Sequence, residues 1–528
     1  MSELLLPTWI VPEGEQQELI DDGSSIFRSA FAPGFAQRQS YGGLRLKLSR
    51  RHTVRLEEKA ILLAALRATR GGYNAIRTKV HFALRGSFPA TQLVTNNTFA
   101  NGTTGWSALS PVTSIASADR AIRVERIGND TLVGTGLYNT SGITLTQYVP
   151  YVARAMSYRG QGFSGTYLTA GTTATSLVNG GQGGSATSYG LLTAGFIAQS
   201  ASPYYIAAGG WTVAGASAGD FLTVPYFSLT RCCLSDHGSN LLVRSDEFDN
   251  ASWLKTRATV TSNFATAPDG SASGDSLIET ATAGTHYAYQ VVSCDSAAAD
   301  FTITCALRAN TRTWAYLELD ENTGSSAAQL FFNLSTGALG SSSVGANWSG
   351  VRGSIASLGN SWYLCSITAR KTNAATSLNA LVGLASANGT SSYSGDGTSG
   401  IFVWRATLAK SSVATHLVQT TSSATTGSSP TGGDMYVKGL PASTNGLLLP
   451  DDIFEINGEL KMCTAALNSD AAGLGYLQFE PPLVRSTSDN DPVIIADPMG
   501  KFLVSNVKID NEFGTQARVS YDLEHIYE

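Results

Sequence analysis

Leu242-Val-Arg-Ser-Asp246-Glu-Phe248-Asp-Asn250-Ala-Ser-Trp253 restates an earlier stretch, Leu93-Val-Thr-Asn-Asn97-Thr-Phe99-Ala-Asn101 with Trp106, and is two residues shorter before the tryptophan. A pattern of apolar, Asx and aromatic positions that returns at the same spacing marks one structural unit used twice. Each copy closes on an apolar run that reads as a strand, Phe221–Leu229 in the first and Ile401–Leu408 in the second. Each unit is then about 140–180 residues long, the size of a β-sandwich. Between the copies, Leu234–Gly238 reads as a linker. After the second, Thr420–Gly433 is almost entirely Ser, Thr and Gly and reads as a flexible one.

Outside the repeat the composition changes. Met1–Ala90 carries 13 Lys/Arg and 8 Asp/Glu, whereas Thr431–Glu528 carries 6 and 15, so the two ends hold net charges of +5 and −9. The 340 residues between them carry only 16 and 17. Opposite charge predicts that the ends meet and form one unit. The middle is then an insertion looped out of it, which a domain tolerates when the chain leaves and returns at neighbouring points.

In the first end, Leu4–Val11 and Gly42–Leu48 are short apolar runs, and Leu44, Leu46 and Leu48 alternate as in a strand. A helix is predicted next, with Thr53 as N-cap, Glu57 and Glu58 at its positive end, an apolar stripe through Leu56, Ala60, Leu63 and Ala64, and Gly71-Gly72 as its stop. Lys79–Leu84 comes after it as a strand. In the last end, Asp452–Ile456 and Glu459–Ala465 flank Asn457-Gly458, a strong hairpin signal. Short strands are also predicted at Asp434–Val437, Leu477–Phe479, Val493–Ile495 and Lys501–Lys508. One helix and about nine short strands make a small barrel or sandwich.

The expected fold is therefore mainly β: a split barrel or sandwich hub with one helix, and two inserted jelly-roll-like sandwiches. The expected boundaries are 1–90 for the first half of the hub, 91–236 and 239–420 for the modules, 421–433 for the flexible linker and 434–528 for the second half.

With 528 residues, 43% hydrophobic and 14% charged, the chain is too long for one core and too apolar for a disordered segment. A net charge of −5 without a dense basic run gives no support for nucleic-acid binding. The opening residues lack a basic n-region, and no apolar run reaches 18 residues, so neither a secretory signal nor membrane insertion is expected. The six cysteines form no C-x-x-C pair, and the adjacent Cys232-Cys233 suits neither a disulfide nor zinc; free thiols in a reducing cytosol are expected.

Few motifs point to reaction chemistry. Gly215-Ala-Ser217-Ala-Gly219 matches G-x-S-x-G, but the next residues, Asp220–Leu229, read as a strand rather than the required helix. Gly180–Gly184 lacks the spacing and the Lys-Ser/Thr of a phosphate cradle, and reads as a surface loop. The six histidines show no H-x-x-x-H pair, so no metal site is expected. No cofactor is expected either, although a turn such as Gly395-Asp396-Gly397 could offer oxygen ligands to calcium. The carboxylates Asp246, Glu247, Asp249, Asp320 and Glu321 raise a glycosidase pair as an alternative, and solvated loops explain them as well. Aromatics are the better clue, because the C–H faces of sugars stack on Trp and Tyr. Candidates are Tyr204, Tyr205 and Trp211 in the first module, and Trp348, Trp362 and Tyr393 in the second, with Trp348 and Tyr393 favoured. Trp106, Trp253 and Trp404 are assigned to the core.

Gly446-Leu-Leu-Leu-Pro-Asp-Asp-Ile-Phe-Glu-Ile-Asn-Gly-Glu-Leu460 and Phe479-Glu-Pro-Pro-Leu483 resemble segments of tail proteins of long-tailed bacteriophages. The arrangement resembles the enlarged distal tail protein of siphophages, in which carbohydrate-binding modules are inserted into a hub. Asn240–Trp253, Ala267-Pro-Asp-Gly270 and Gly395–Trp404 resemble lectin-like jelly-roll modules. The resemblance implies a virion protein of the tail tip, made in the host cytoplasm. Its hub would form a hexameric ring with copies of itself, between the tail tube protein and the baseplate hub protein. Its modules would reach host cell-surface glycan, with no catalytic residues. The alternatives are a glycan-degrading tail enzyme and a scaffold whose modules bind no sugar.

Overall fold

The computed structural model describes residues 3–5, 14–21, 24–28, 36–40, 44–55, 62–63, 66, 75–79, 86–101, 103–109, 113–118, 121–126, 135–159, 163–172, 180–183, 190–199, 203–212, 221–322, 326–427, 432–511 and 516–525. Among these the architecture is almost wholly β, and no helix is long and apolar enough to cross a membrane.

Strands from the two ends interleave in one six-stranded sheet. Its order is Glu3–Leu5, Ala75–Lys79, Met499–Asn511, Gln516–His525, Leu44–Arg55, Gly14–Asp21. Val519 pairs with His52, and Phe502 with Ile76. The alternation that marks a half-buried strand places Leu48, Phe502, Val519, Tyr521 and Leu523 on one apolar face. Leu62, Leu63 and Leu66 cover that face; they are helical, and their i, i+1, i+4 spacing puts all three on one side. The predicted cap is corrected: Thr53 lies inside the Leu44–Arg55 strand, where it pairs with Arg518. The β-branched pair Thr53-Val54 suits a strand, and the partner strand holds it there. Most of the remaining predicted helix lies outside the described residues. The strand expected at Lys79–Leu84 is Ala75–Lys79, and residues 80–85 lie outside the described set.

The rest of the last end closes a six-stranded barrel of Cys233–Asp236, Asp434–Lys438, Gly475–Glu480, Glu459–Cys463, Ile453–Ile456 and Pro492–Ile494. Phe88, Val437, Leu447, Phe454, Ile456, Leu477 and Phe479 fill it. At the hairpin, Asn457 and Gly458 have φ of 48° and 79°, the left-handed pair that a two-residue type I′ turn requires.

The barrel corrects the first linker. Cys233–Asp236 is a barrel strand, paired on one side with Asp434–Lys438 and on the other with Pro492–Ile494. Four residues of mixed polarity carry too little periodicity to read as a strand, yet the barrel needs this edge filled to close. The chain therefore leaves the barrel twice and returns between the sandwiches. The second linker is corrected in part. Thr420 is buried and donates to Leu242 O at 2.9 Å, and Thr425 bridges to Asn240 in both directions, so residues 420–427 form a strap along the second sandwich. Residues 428–431 lie outside the described set.

The first sandwich packs the sheet ordered Gly180–Gly183, Phe163–Gly171, Pro203–Thr212, Thr135–Asn139, Trp106–Ala108 against one ordered Gly190–Ile197, Pro150–Arg159, Phe221–Arg231, Ala121–Arg126, Thr113–Ala118. Gly180–Gly183, expected as a loop, is thus a strand. The second sandwich packs Leu254–Thr256, Ala283–Ser293, Ser377–Ala385, Trp314–Asp320, Ala327–Asn333, Ala338–Val344 against a six-stranded sheet that includes Gly400–Ala409. The repeated motif forms equivalent cores: Trp106 lies 4.6 Å from Phe227 beside Phe99, and Phe248 stacks on Trp253 at 4.3 Å. Trp106, Trp253 and Trp404 are all buried. All six cysteines are free thiols, and five of them are buried.

Buried charge fixes the sandwiches to the barrel. Arg154, on a first-sandwich strand, donates Nη2 to both oxygens of Glu455 at 2.8 and 2.7 Å, and Glu455 also accepts from Met499 N. At the second junction Asp236 accepts from His416 Nδ1 at 2.8 Å and lies 3.5 Å from Lys438 Nζ. Burial alone would raise the Asp236 carboxyl. The His416 hydrogen bond and the Lys438 charge outweigh it and hold the group well below the usual carboxylate range.

Candidate functional site

Residues two apart on a strand share a face, so the outer face of the second sandwich can be read from register. Its inward residues, Leu317, Leu319, Val382, Leu384, Leu330 and Phe332, lie in the core. The outward ones form cross-strand rows. One row runs Tyr287, Gly383, Tyr316, Phe331; the next runs Tyr289, Leu381, Glu318, Gln329, Ser343; and the third runs Val291, Asn379, Asp320, Ala327. Trp314 lies two residues before Tyr316 and extends the same face.

Tyr316, Phe331, Leu381 and Ala385 form a small apolar floor, with Tyr287, Tyr289 and Trp314 partly exposed around it. Tyr316 and Phe331 are 5.5 Å apart, and Tyr287 and Tyr289 meet edge to face at 5.6 Å. Gly383 makes the floor flat: a Cβ there would stand 2.2 Å from Cε1 and Cζ of Tyr316, so the ring lies over bare backbone. Polar groups border the rings. Gln329 Nε2 donates to Glu318 Oε2 at 2.8 Å, and Asn379 Nδ2 donates to Asp320 Oδ1 at 2.8 Å. Burial, helped by the neighbouring Asp320 charge and opposed by the Gln329 bond, pushes the Glu318 carboxyl up to about 7. Burial raises Asp320 as well. Tyr316 and Phe331 are themselves buried and serve as support. The partly exposed Tyr287, Tyr289 and Trp314 above them, with amide and carboxyl groups beside them, can stack on the C–H face of a sugar and hydrogen-bond its hydroxyls.

The structure redistributes the residues singled out from sequence. Trp348 is a core residue, a correction: its Nε1 donates to Glu321 Oε2 at 3.1 Å and to Ser326 O at 3.2 Å. Trp362 is also buried, with Nε1 on Thr266 O. Tyr204 is corrected to the core too, its hydroxyl accepting from Gln199 N at 2.8 Å and its ring stacked on Phe196. Tyr205 is partly exposed and packs edge to face with Tyr138 at 6.4 Å. Trp211 lies in the Pro203–Thr212 strand, and its side chain is outside the described set. Tyr393 is half-buried in a polar cluster rather than free in a loop. Its hydroxyl donates to Glu279 Oε2 at 2.7 Å, while Glu279 binds Arg312 Nη2 at 2.6 Å and the His286 ring lies 4.8 Å away. Gly215–Gly219 lies outside the described residues.

Four of the five candidate carboxylates are already engaged, Asp320 with Asn379 as above. Asp246 holds Arg405 through both oxygens, Glu247 pairs with Arg244, and Glu321 takes Asn347 and Trp348. Asp396 is a turn residue. Its oxygens accept from Ser399 Oγ at 2.6 Å and from the backbone N–H groups of Thr398 and Ser399, which hold it well below the usual range. No group of three or more metal-ligating side chains gathers among the described residues.

The face was readable in principle. Tyr287-Ala-Tyr289 and Trp314-Ala-Tyr316-Leu-Glu318-Leu-Asp320 alternate aromatic or acidic with aliphatic residues at period two.

No family model and no curated protein matches the sequence. Among solved structures, the chain is similar to the N-terminal CBM22-1–CBM22-2 tandem of Xyn10C from Paenibacillus barcinonensis, with 13% identity and a TM-score of 0.21 over 62% of this chain and 99% of that one. It is also similar to the CBM22-1–GH10 modules of Clostridium thermocellum xylanase 10B complexed with xylohexaose, with 12% identity and a TM-score of 0.21 over 31% of this chain and 32% of that one. A third is the arabinose-bound α-L-arabinofuranosidase MgGH51, with 14% identity and a TM-score of 0.23 over 29% and 28%.

Proposed function

We propose that this chain is a structural protein of a phage tail tip. The body built from its two ends assembles as a ring of copies between tail tube and baseplate hub, and its sandwiches hold glycan of the host surface. The glycan part rests on one observation, the partly exposed aromatics Tyr287, Tyr289 and Trp314 seated on the buried Tyr316 and Phe331, with Glu318 and Gln329 beside them. The tail-tip part rests on the resemblance carried by Gly446–Leu460 and Phe479–Leu483. The single hub sheet built from both ends suits it, since the inserted sandwiches then project from the body.

A non-enzymatic role fits the carboxylates. A glycosidase sets two across a scissile bond, one on each side. Glu318 and Asp320 instead sit two apart on one strand, on the same side of any chain lying over the face. Each face binds modestly, and several in one ring hold a cell through effective concentration.

A glycan array probed with the full chain tests the adhesive part. Binding that falls at least tenfold in Tyr287→Ala/Tyr289→Ala is expected, and no signal on any glycan would favour the scaffold. Reducing sugar released from host envelope would replace the reading with an enzyme. Negative-stain images of assembled tails should show the chain in rings, and a monomer there would remove the ring.

A further inference from the structure

We propose that the barrel carries a glycan subsite of its own, at its junction with the second sandwich, and that it takes a neutral di- or trisaccharide. It lies outside the sandwich face described above and does not depend on that face binding sugar.

Three barrel strands build it. Asp236, Tyr436 and Tyr476 are successive register partners on Cys233–Asp236, Asp434–Lys438 and Gly475–Glu480, so their side chains leave the barrel on one side. Their neighbours Met435, Val437 and Leu477 point inward to the core. Tyr436 and Tyr476 remain 50% and 44% exposed, with ring centroids 5.1 Å apart. The His416 ring, from the tail of the second sandwich, lies 4.2 Å from Tyr436 and continues the row. Adjacent half-exposed rings leave apolar area in water that a ligand would cover. They form the floor of an open cavity of about 640 Å³, walled by His237, Gln419 and Asp434. That volume lies within the range of small-molecule sites.

The charges select the ligand. Tyr476 donates its hydroxyl to Asp434 Oδ2. That bond fixes the ring and leaves the carboxylate further acceptor capacity for a sugar hydroxyl. Asp236 is spent on His416 and Lys438. Lys438 itself is buried and also bound to Asp489 at 3.0 Å. No Lys or Arg lines the cavity among the described residues. An anionic sugar would meet Asp434 without a counter-charge, whereas a neutral pyranose places its C–H face on the tyrosines and its hydroxyls on Asp434 and Gln419.

The test uses the full chain carrying Tyr287→Ala/Tyr289→Ala, so failure of the sandwich face cannot mask the barrel. Cellotriose, maltotriose, chitotriose and 3′-sialyllactose are titrated by saturation-transfer NMR. At least one neutral trisaccharide should bind. Adding Tyr436→Ala should raise its Kd about tenfold or more, and Tyr436→Phe should restore it, because the ring rather than the hydroxyl makes the contact. Tyr476→Ala provides a second probe if Tyr436→Ala lowers the melting temperature. No neutral trisaccharide binding at millimolar concentration, an unchanged Kd in both alanine variants, or preferential binding of sialyllactose would each overturn the proposal.

Discussion

Replacing Glu318 by glutamine isolates the cost of keeping a carboxyl on the aromatic face. The shape is retained, and Gln329 still finds an oxygen, but the group no longer titrates. In the folded chain the carboxyl ionises near pH 7 instead of its ordinary 4.5, chiefly because burial disfavours the charged form. A raised folded value means that the native state binds the proton more tightly than the unfolded chain. Stability is therefore full below about pH 4.5 and falls as pH rises toward 7, beyond which the loss is constant. The shift corresponds to about 3 kcal/mol, and partial solvent contact reduces this to about 1–2 kcal/mol. Calorimetric scans of the full chain at pH 4, 6 and 8 should show the transition of the second sandwich matching wild type at pH 4 in Glu318→Gln. At pH 8 the variant should be the more stable by that amount. A difference independent of pH, or one largest in acid, would refute the assignment of a buried, protonated carboxyl.

Other substitutions probe other levels of the structure. Gly383→Ala should lift Tyr316 off the sheet, lower stability by about 1–3 kcal/mol and weaken glycan binding by the second sandwich; paired melting and array measurements check both. Arg154→Met strands Glu455 in a buried site and should cost about 3–5 kcal/mol, visible as an earlier transition of the first sandwich and barrel. Asp236 has a depressed folded value, so its contribution is present above the ordinary carboxylate range and lost as pH falls below it; Asp236→Asn should flatten the acid limb of the stability profile.

How much of this was legible depended on whether the signal was local. Asn457-Gly458 has one favoured geometry between two strands, and the chain adopts it. The repeat was readable because Phe99, Trp106, Phe248 and Trp253 perform one packing task twice. That strands from both ends share a sheet was legible only through composition and opposite charge. Cys233–Asp236 was not legible, because its strand character comes from two partners more than 190 residues downstream in sequence. Thr53 was read as a cap for the same reason: the competing partner, Arg518, is remote. Among the sugar candidates, Tyr204, Trp348 and Trp362 failed on burial. Trp348 comes after a Gly-Ala-Asn turn that reads as a loop, but it starts a strand, and its indole N–H is satisfied by the buried Glu321 and a backbone carbonyl.

The strand that returns between the sandwiches also sets how the second one responds to force. It leaves the barrel after Asp236 and comes back at Asp434, adjacent ends of two neighbouring antiparallel strands. A tug on that sandwich would therefore peel the pair open from its free end, one rung at a time, rather than shear all rungs together. The first rung to part is Asp236 against Tyr436, and the Asp236, His416 and Lys438 cluster sits beside it as a clasp.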